Sequence, residues 1–181
     1  MINSWFMGLS IHYNGIIKDG SLIPKLVDEV KDICNSLQWK YHLFDDVLVK
    51  GICFSPPECE PLFFTFSKSG VLCSPVLLQY DIHPATTISV KTQFAGMDVH
   101  KAVIKLLKHL KANYFSEFEL SDEGYYWETG DETILKKRFR EYEFLLDTVC
   151  EALQDLISMP GETAETLADR LERFLKERLG K

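Results

Sequence analysis

The chain has 181 residues, a formal net charge of −7 and a pI of about 5.2, with 46% hydrophobic and 26% charged residues. That length fits one domain, or one domain with an appendage, and can bury a core without a metal or disulfide. The acidic balance argues against a nucleic-acid partner, and the absence of any run of about 18 apolar residues argues against a membrane partner.

In chain order, Ser4 to Tyr13 read as a strand by partial alternation, with Asn14-Gly15 as a turn signal and Ile16-Ile17 as the start of a possible return strand. Residues 22–38 carry apolar side chains at helical spacing (Leu22, Leu26, Val30, Ile33, Leu37), with Ser21 as N-cap and Pro24 in the first turn. Residues 40–93 are strand-rich, with strands expected near 40–44, 49–54, 61–67, 71–79 and 86–93 and a hairpin loop at Ser67-Lys68-Ser69-Gly70. A second helix is expected over 97–114, with Val99, Val103, Leu106 and Leu110 inward, followed by a strand or hairpin over 117–127 interrupted at Asp122-Glu123-Gly124.

Residues 132–157 form a long helix in which Leu135, Phe139, Tyr142, Leu146, Val149, Leu153 and Leu156 make a heptad seam. Met159-Pro160-Gly161 ends it, and a fourth helix over 163–179 presents Leu167, Leu171, Phe174 and Leu175. The expected architecture is α+β: a mostly antiparallel sheet with two packed helices, open to an elaborated ferredoxin-like layout, over residues 1–130. An antiparallel αα-hairpin over 131–181 packs on it within a single domain. The seam needs cover from its own domain or from a second copy, which makes a homodimer through these helices an expectation.

No signal-like leader is evident, and five cysteines (Cys34, Cys53, Cys59, Cys73, Cys150) point to reduced thiols in the cytosol. No CxxC pair, HExxH or glycine-rich phosphate loop is present, so neither a metal nor a cofactor is expected. Lys101, Lys105, Lys108 and Lys111 line one side of the second helix as a solvated face.

The densest chemistry lies in Ser121–Glu132, with its run of carboxylates beside Tyr125, Tyr126 and Trp127. Acids beside aromatic faces suit a cationic or hydroxyl-rich ligand, or an acid/base pair. The competing reading is local: Thr129-x-x-Glu132 spells a capping box, and Asp122-Glu123-Gly124 an ordinary turn.

Three segments, SPPxCEPL (55–62), KTQFAG (91–96) and DEGxYWETGD (122–131), resemble a family of uncharacterised bacterial proteins of about this length. The resemblance spans most of residues 5–145, implies a bacterial cytoplasmic setting, and transfers no catalytic residue.

The first expectation is a noncatalytic protein that binds a small molecule or a protein at a junction of Thr92, Gln93, Asp122, Glu123, Tyr126, Trp127 and Glu128. The alternative is an enzyme using Asp122, Glu123 or Glu128 as acid or base near an aromatic pocket, with His83 in support. A third is a structural subunit that associates through the heptad seam.

Overall fold

A computed structural model describes residues 8–75, 87–155 and 163–179. The fold is α+β, built from two antiparallel three-stranded sheets and helices, in two compact units, 1–139 and 140–181. The boundary between the units falls inside a helix, after Phe139. Leu135 and Phe139, the first two seam positions, are buried core residues of the first unit.

The first sheet has the order β5-β1-β6, with β1 (Ser10–Ile17) between β5 (Ile88–Lys91) and β6 (Phe115–Asp122). Asn14-Gly15 makes no turn, because β1 runs straight through it and Gly15 lies opposite Phe118 on β6. A Cβ on Gly15 would come within 2.7 Å of the Glu117 carbonyl and 2.9 Å of the Phe115 ring, so the glycine serves close strand packing. Trp5, Phe6 and Met7 lie outside the described residues.

Helix α1 (Ile23–Leu37) is led in by a short 3-10 turn over Gly20–Leu22. Asp19, not Ser21, supplies the cap: its carboxylate accepts the Ser21 amide at 2.8 Å. Leu26 and Val30 are buried, as the stripe predicts, and Cys34 is buried beside them, whereas Leu37 at the end of the helix is half exposed.

The second sheet is the meander β2 (Lys40–Asp45), β3 (Val49–Ser55) and β4 (Leu62–Ser67). After β4, Gly70–Cys73 joins the two sheets: the Ser67 amide donates to Val71 O and the Cys73 amide to Thr65 O on one side, while the Ile17 amide donates to Gly70 O and the Leu72 amide to Gly15 O on the other. Of the strand expected over 71–79, the described residues 71–75 make these bridges, and residues 76–86 lie outside the described residues.

Helix α2 (Gly96–Tyr114) connects β5 to β6 with β1 lying between them, a split β-α-β arrangement. That half agrees with a ferredoxin-like layout. The other half departs from it, because the strands after α1 form their own meander instead of adding to the edge of β5.

The core fills the space between sheets and helices. Phe64, fully buried on β4, stacks on Tyr13 at 5.7 Å and on Phe54 at 6.1 Å, and meets Phe115 edge-on at 6.3 Å. The Tyr13 hydroxyl donates to Phe63 O at 3.1 Å and accepts from the Phe63 amide at 3.0 Å, and burial pushes its pKa up. One phenol thereby ties β1 to β4.

After β6 comes a single helical turn, α3 (Tyr126–Thr129), where the sequence suggested strand, and then α4 (Glu132–Asp155). The second unit holds the rest of α4 and α5 (Ala164–Leu179). There Tyr142, Leu146 and Val149 on the seam are partly buried, as are Leu167 and Phe174 on α5. Leu156 and Met159-Pro160-Gly161 lie outside the described residues. No helix among the described residues is long and apolar enough to cross a membrane.

Candidate functional site

Asp122, the last residue of β6, turns the chain. Its carboxylate accepts the Gly124 amide at 2.7 Å, the Tyr126 amide at 2.8 Å and the Trp127 amide at 2.9 Å. The last two are free donors at the start of α3, which a short acidic side chain satisfies. Tyr125, between Gly124 and Tyr126, sits in the left-handed region at φ 56°.

His100, one turn into α2, approaches the same carboxylate, with Nε2 3.2 Å from Oδ1 and 3.3 Å from Oδ2. Its other nitrogen, Nδ1, lies 2.7 Å from the hydroxyl of Thr92, just beyond β5. Thr92 in turn holds the chain before β1, its amide donating to Leu9 O at 2.9 Å. Thr92 and His100 have no exposed surface and Asp122 has 3%.

The protons in this chain are constrained by its geometry. The Thr92 amide already serves Leu9 O, so the hydroxyl can donate to Nδ1 while Nε2–H donates to Asp122. Oγ1 also lies 3.3 Å from Leu9 O. Turning the hydroxyl proton there lets Thr92 accept from a protonated Nδ1. Rotation of one hydroxyl closes the network for either protonation state of His100.

Burial alone would raise the Asp122 pKa. The hydrogen bond and charge of His100, with the amides of Trp127 and Gly124, outweigh it and hold the carboxyl below its usual range. A Cβ on Gly124 would sit 3.0 Å from His100 Nε2, 3.1 Å from Asp122 Oδ1 and 2.7 Å from Leu135 Cδ1. The glycine is what lets the turn close over the imidazole.

Hydroxyl, imidazole and carboxylate stand in the order used by nucleophilic hydrolases. Here the hydroxyl is sealed in the interior, and a substrate carbonyl has no approach to it. The cluster acts as a staple that ties the start of β1, the end of β5, α2 and the turn after β6.

The other expected site residues divide between structural work and the surface. Gln93 Oε1 accepts the Leu9 amide at 2.9 Å and Glu123 Oε2 accepts the Ser10 amide at 2.7 Å, so both fasten the start of β1. Glu123 also lies 3.7 Å from His12 Nε2. Tyr126 contributes its amide to Asp122. Trp127 faces elsewhere, packing on Phe118 at 6.2 Å under the ammonium groups of Lys108 and Lys111, 5.4 and 5.3 Å from its centroid. Glu128 is exposed, and His83 lies outside the described residues. Among the described residues, the seven are thus divided between the junction at the start of β1, the face of Phe118 and the surface.

The capping box is not formed. Thr129 donates to Tyr125 O at 2.6 Å and accepts from the Asp131 amide, closing α3, while Glu132 pairs with Lys101 at 3.1 Å. Asp131 caps α4, accepting the Thr133 amide at 2.7 Å. Asp131→Ala is therefore expected to cost about 1 kcal/mol in urea melts. A loss larger for Thr129→Ala than for Asp131→Ala would reverse the assignment.

His100 is the site residue that sequence reasoning missed. Its signal was present: His100, Val103, Leu107, Leu110 and Tyr114 follow 3-4-3-4 spacing, and all are buried. A histidine on an inward stripe requires polar partners.

Burial pushes the thiols of Cys34 and Cys73 up to about 11 and that of Cys59 to about 12, which keeps them protonated and unreactive. Among the described residues no three His, Cys, Asp or Glu side chains converge to hold a metal ion. No protein-family model, curated protein or solved structure matches the chain.

Proposed function

We propose that this chain is a noncatalytic interaction protein whose partner binds at the β2–β3 hairpin, not at the junction around Asp122. The observation that carries the reading is a contrast in how side chains are used. At the junction Thr92, Gln93, His100, Asp122 and Glu123 are all committed to holding the fold. At the hairpin Val47 is 72% exposed and Leu48 64%, with Tyr41 and Leu43 beside them also exposed. Large apolar side chains gathered on one feature mark interaction surfaces better than scattered ones.

A groove of about 470 Å³ adjoins the hairpin, lined on the α1 side by Ile23, Pro24 and Val27 and on the strand side by Leu43 and Phe44. The enzyme alternative draws no support from a carboxylate as buried and fully engaged as Asp122.

We place this function in a bacterial cytoplasm. The resemblance carried by SPPxCEPL, KTQFAG and DEGxYWETGD supports that setting, and so do five cysteines that are all unpaired thiols. We retain an antiparallel α4–α5 hairpin in this reading, on the strength of the apolar spacing along both helices.

Photocrosslinking in cells tests the interaction surface. With p-benzoylphenylalanine in place of Val47 or Leu48, a discrete crosslinked species is expected; in place of Glu128 or Phe94, none. Crosslinks confined to the Glu128 and Phe94 positions, or absent throughout, defeat the reading.

A further inference from the structure

Among the described residues β2 pairs on one side alone, with β3, although it is six residues long and largely exposed. An open edge of this kind is a template for a further strand.

The register follows from hydrogen-bond alternation. The Asp46 amide donates to Val49 O at 2.9 Å, so positions 46, 44, 42 and 40 turn their amides and carbonyls toward β3. Tyr41, Leu43 and Asp45 then present theirs to the open edge. In an antiparallel pair related by a two-fold axis, opposed residues lie on the same face, so the axis must fall midway between a residue and its own copy.

Centring on Leu43 uses all three outward-facing residues and makes about six backbone hydrogen bonds. It sets Lys40 against Asp46 of the second copy, twice by symmetry. Among the described residues neither Lys40 nor Asp46 has an ion-pair partner within its own chain. The same register brings the His42–Phe44 edge-to-face pair, 4.8 Å between centroids, against its own copy, and Leu43 against Leu43 on the other face. Centring on His42 instead would oppose two histidines and leave Lys40 facing Phe44, with no charge pair.

We infer that the partner at this hairpin is a second copy of the chain, joined β2 to β2 about a two-fold axis between the two Leu43 residues into one continuous sheet. The inference rests on the hairpin being the interaction surface and adds the identity of its occupant.

Cysteine crosslinking reads the register directly. Opposed Cα atoms in a hydrogen-bonded pair lie about 5.5 Å apart, within disulfide reach. Under mild oxidation Leu43→Cys is expected to give a covalent dimer on nonreducing gels, and His42→Cys and the unmodified chain are not. By light scattering, Lys40→Asp and Asp46→Lys are each expected to weaken the dimer about tenfold, and the double variant to restore it. A chain that stays monomeric at high concentration overturns the proposal. So does a dimer indifferent to both single charge changes, such as one held by the C-terminal helices. A photocrosslink from Val47 to a protein of different sequence would overturn the self-pair while leaving the interaction surface standing.

Discussion

Asp122→Ala is expected to lower stability by about 3–5 kcal/mol in urea melts, because the loss strands several buried partners at once. The amides of Gly124, Tyr126 and Trp127 and the Nε2 of His100 all converge on this carboxylate, which is buried with them. The contribution depends on pH in a definite direction. The folded carboxyl titrates below its unfolded value of about 3.9, so its stabilisation is complete above about pH 5 and disappears as pH falls through the folded pKa. Asp122→Asn abolishes that titration. The gap in stability between the native chain and Asp122→Asn should therefore be widest near neutrality and narrow in acid. A gap that stays constant from pH 7 to pH 3 would mean that the carboxylate is not held charged in the fold.

Phe64→Ala is expected to cost a similar 3–5 kcal/mol. Its ring lies where both sheets meet, against Tyr13 from β1, Phe54 from β3 and Phe115 from β6. Removing it opens a void lined by three aromatic groups that cannot all collapse inward, since each is anchored on a different strand. Phe64→Leu keeps most of the volume and should cost less, about 1.5 kcal/mol or below. Equal losses for the two variants would place the ring at a site that relaxes freely, contrary to this packing.

The sequence was most readable where one period ran without interruption. The stripe on α1 and the strands of the β2–β3–β4 meander lie within a few residues of where alternation and spacing put them. It misled where a local signal was overruled by a distant contact. Asn14-Gly15 spells a hairpin turn, but Gly15 is needed by Phe115 and Phe118, a hundred residues later in the chain. Thr129-x-x-Glu132 spells a capping box, but α3 ends at Gly130, in the left-handed region at φ 64°, which leaves Thr129 inside the preceding turn.

Two members of the buried staple, Thr92 and Asp122, were marked in the sequence by the company they keep in unusual segments. Their role was not legible, because the imidazole that joins them sits on a third segment. The exposure of β2 was hidden for a different reason. Its composition is ordinary for a strand, and only the sheet order reveals that it has one neighbour among the described residues.

The central position of β1 also governs how the chain can fold as it is synthesised. Ile11 lies opposite Val90 on one side and Asp122 on the other, so among the described strands the first one made must wait for the last to complete its pairing. The β2–β3–β4 meander needs only short loops and can form while β1 is still unpaired. Pairings this distant in sequence slow the rate-limiting step. Nascent chains that have not yet released Asp122 leave the β6 side of β1 unpaired, the interval in which a chaperone or a neighbouring chain would find it.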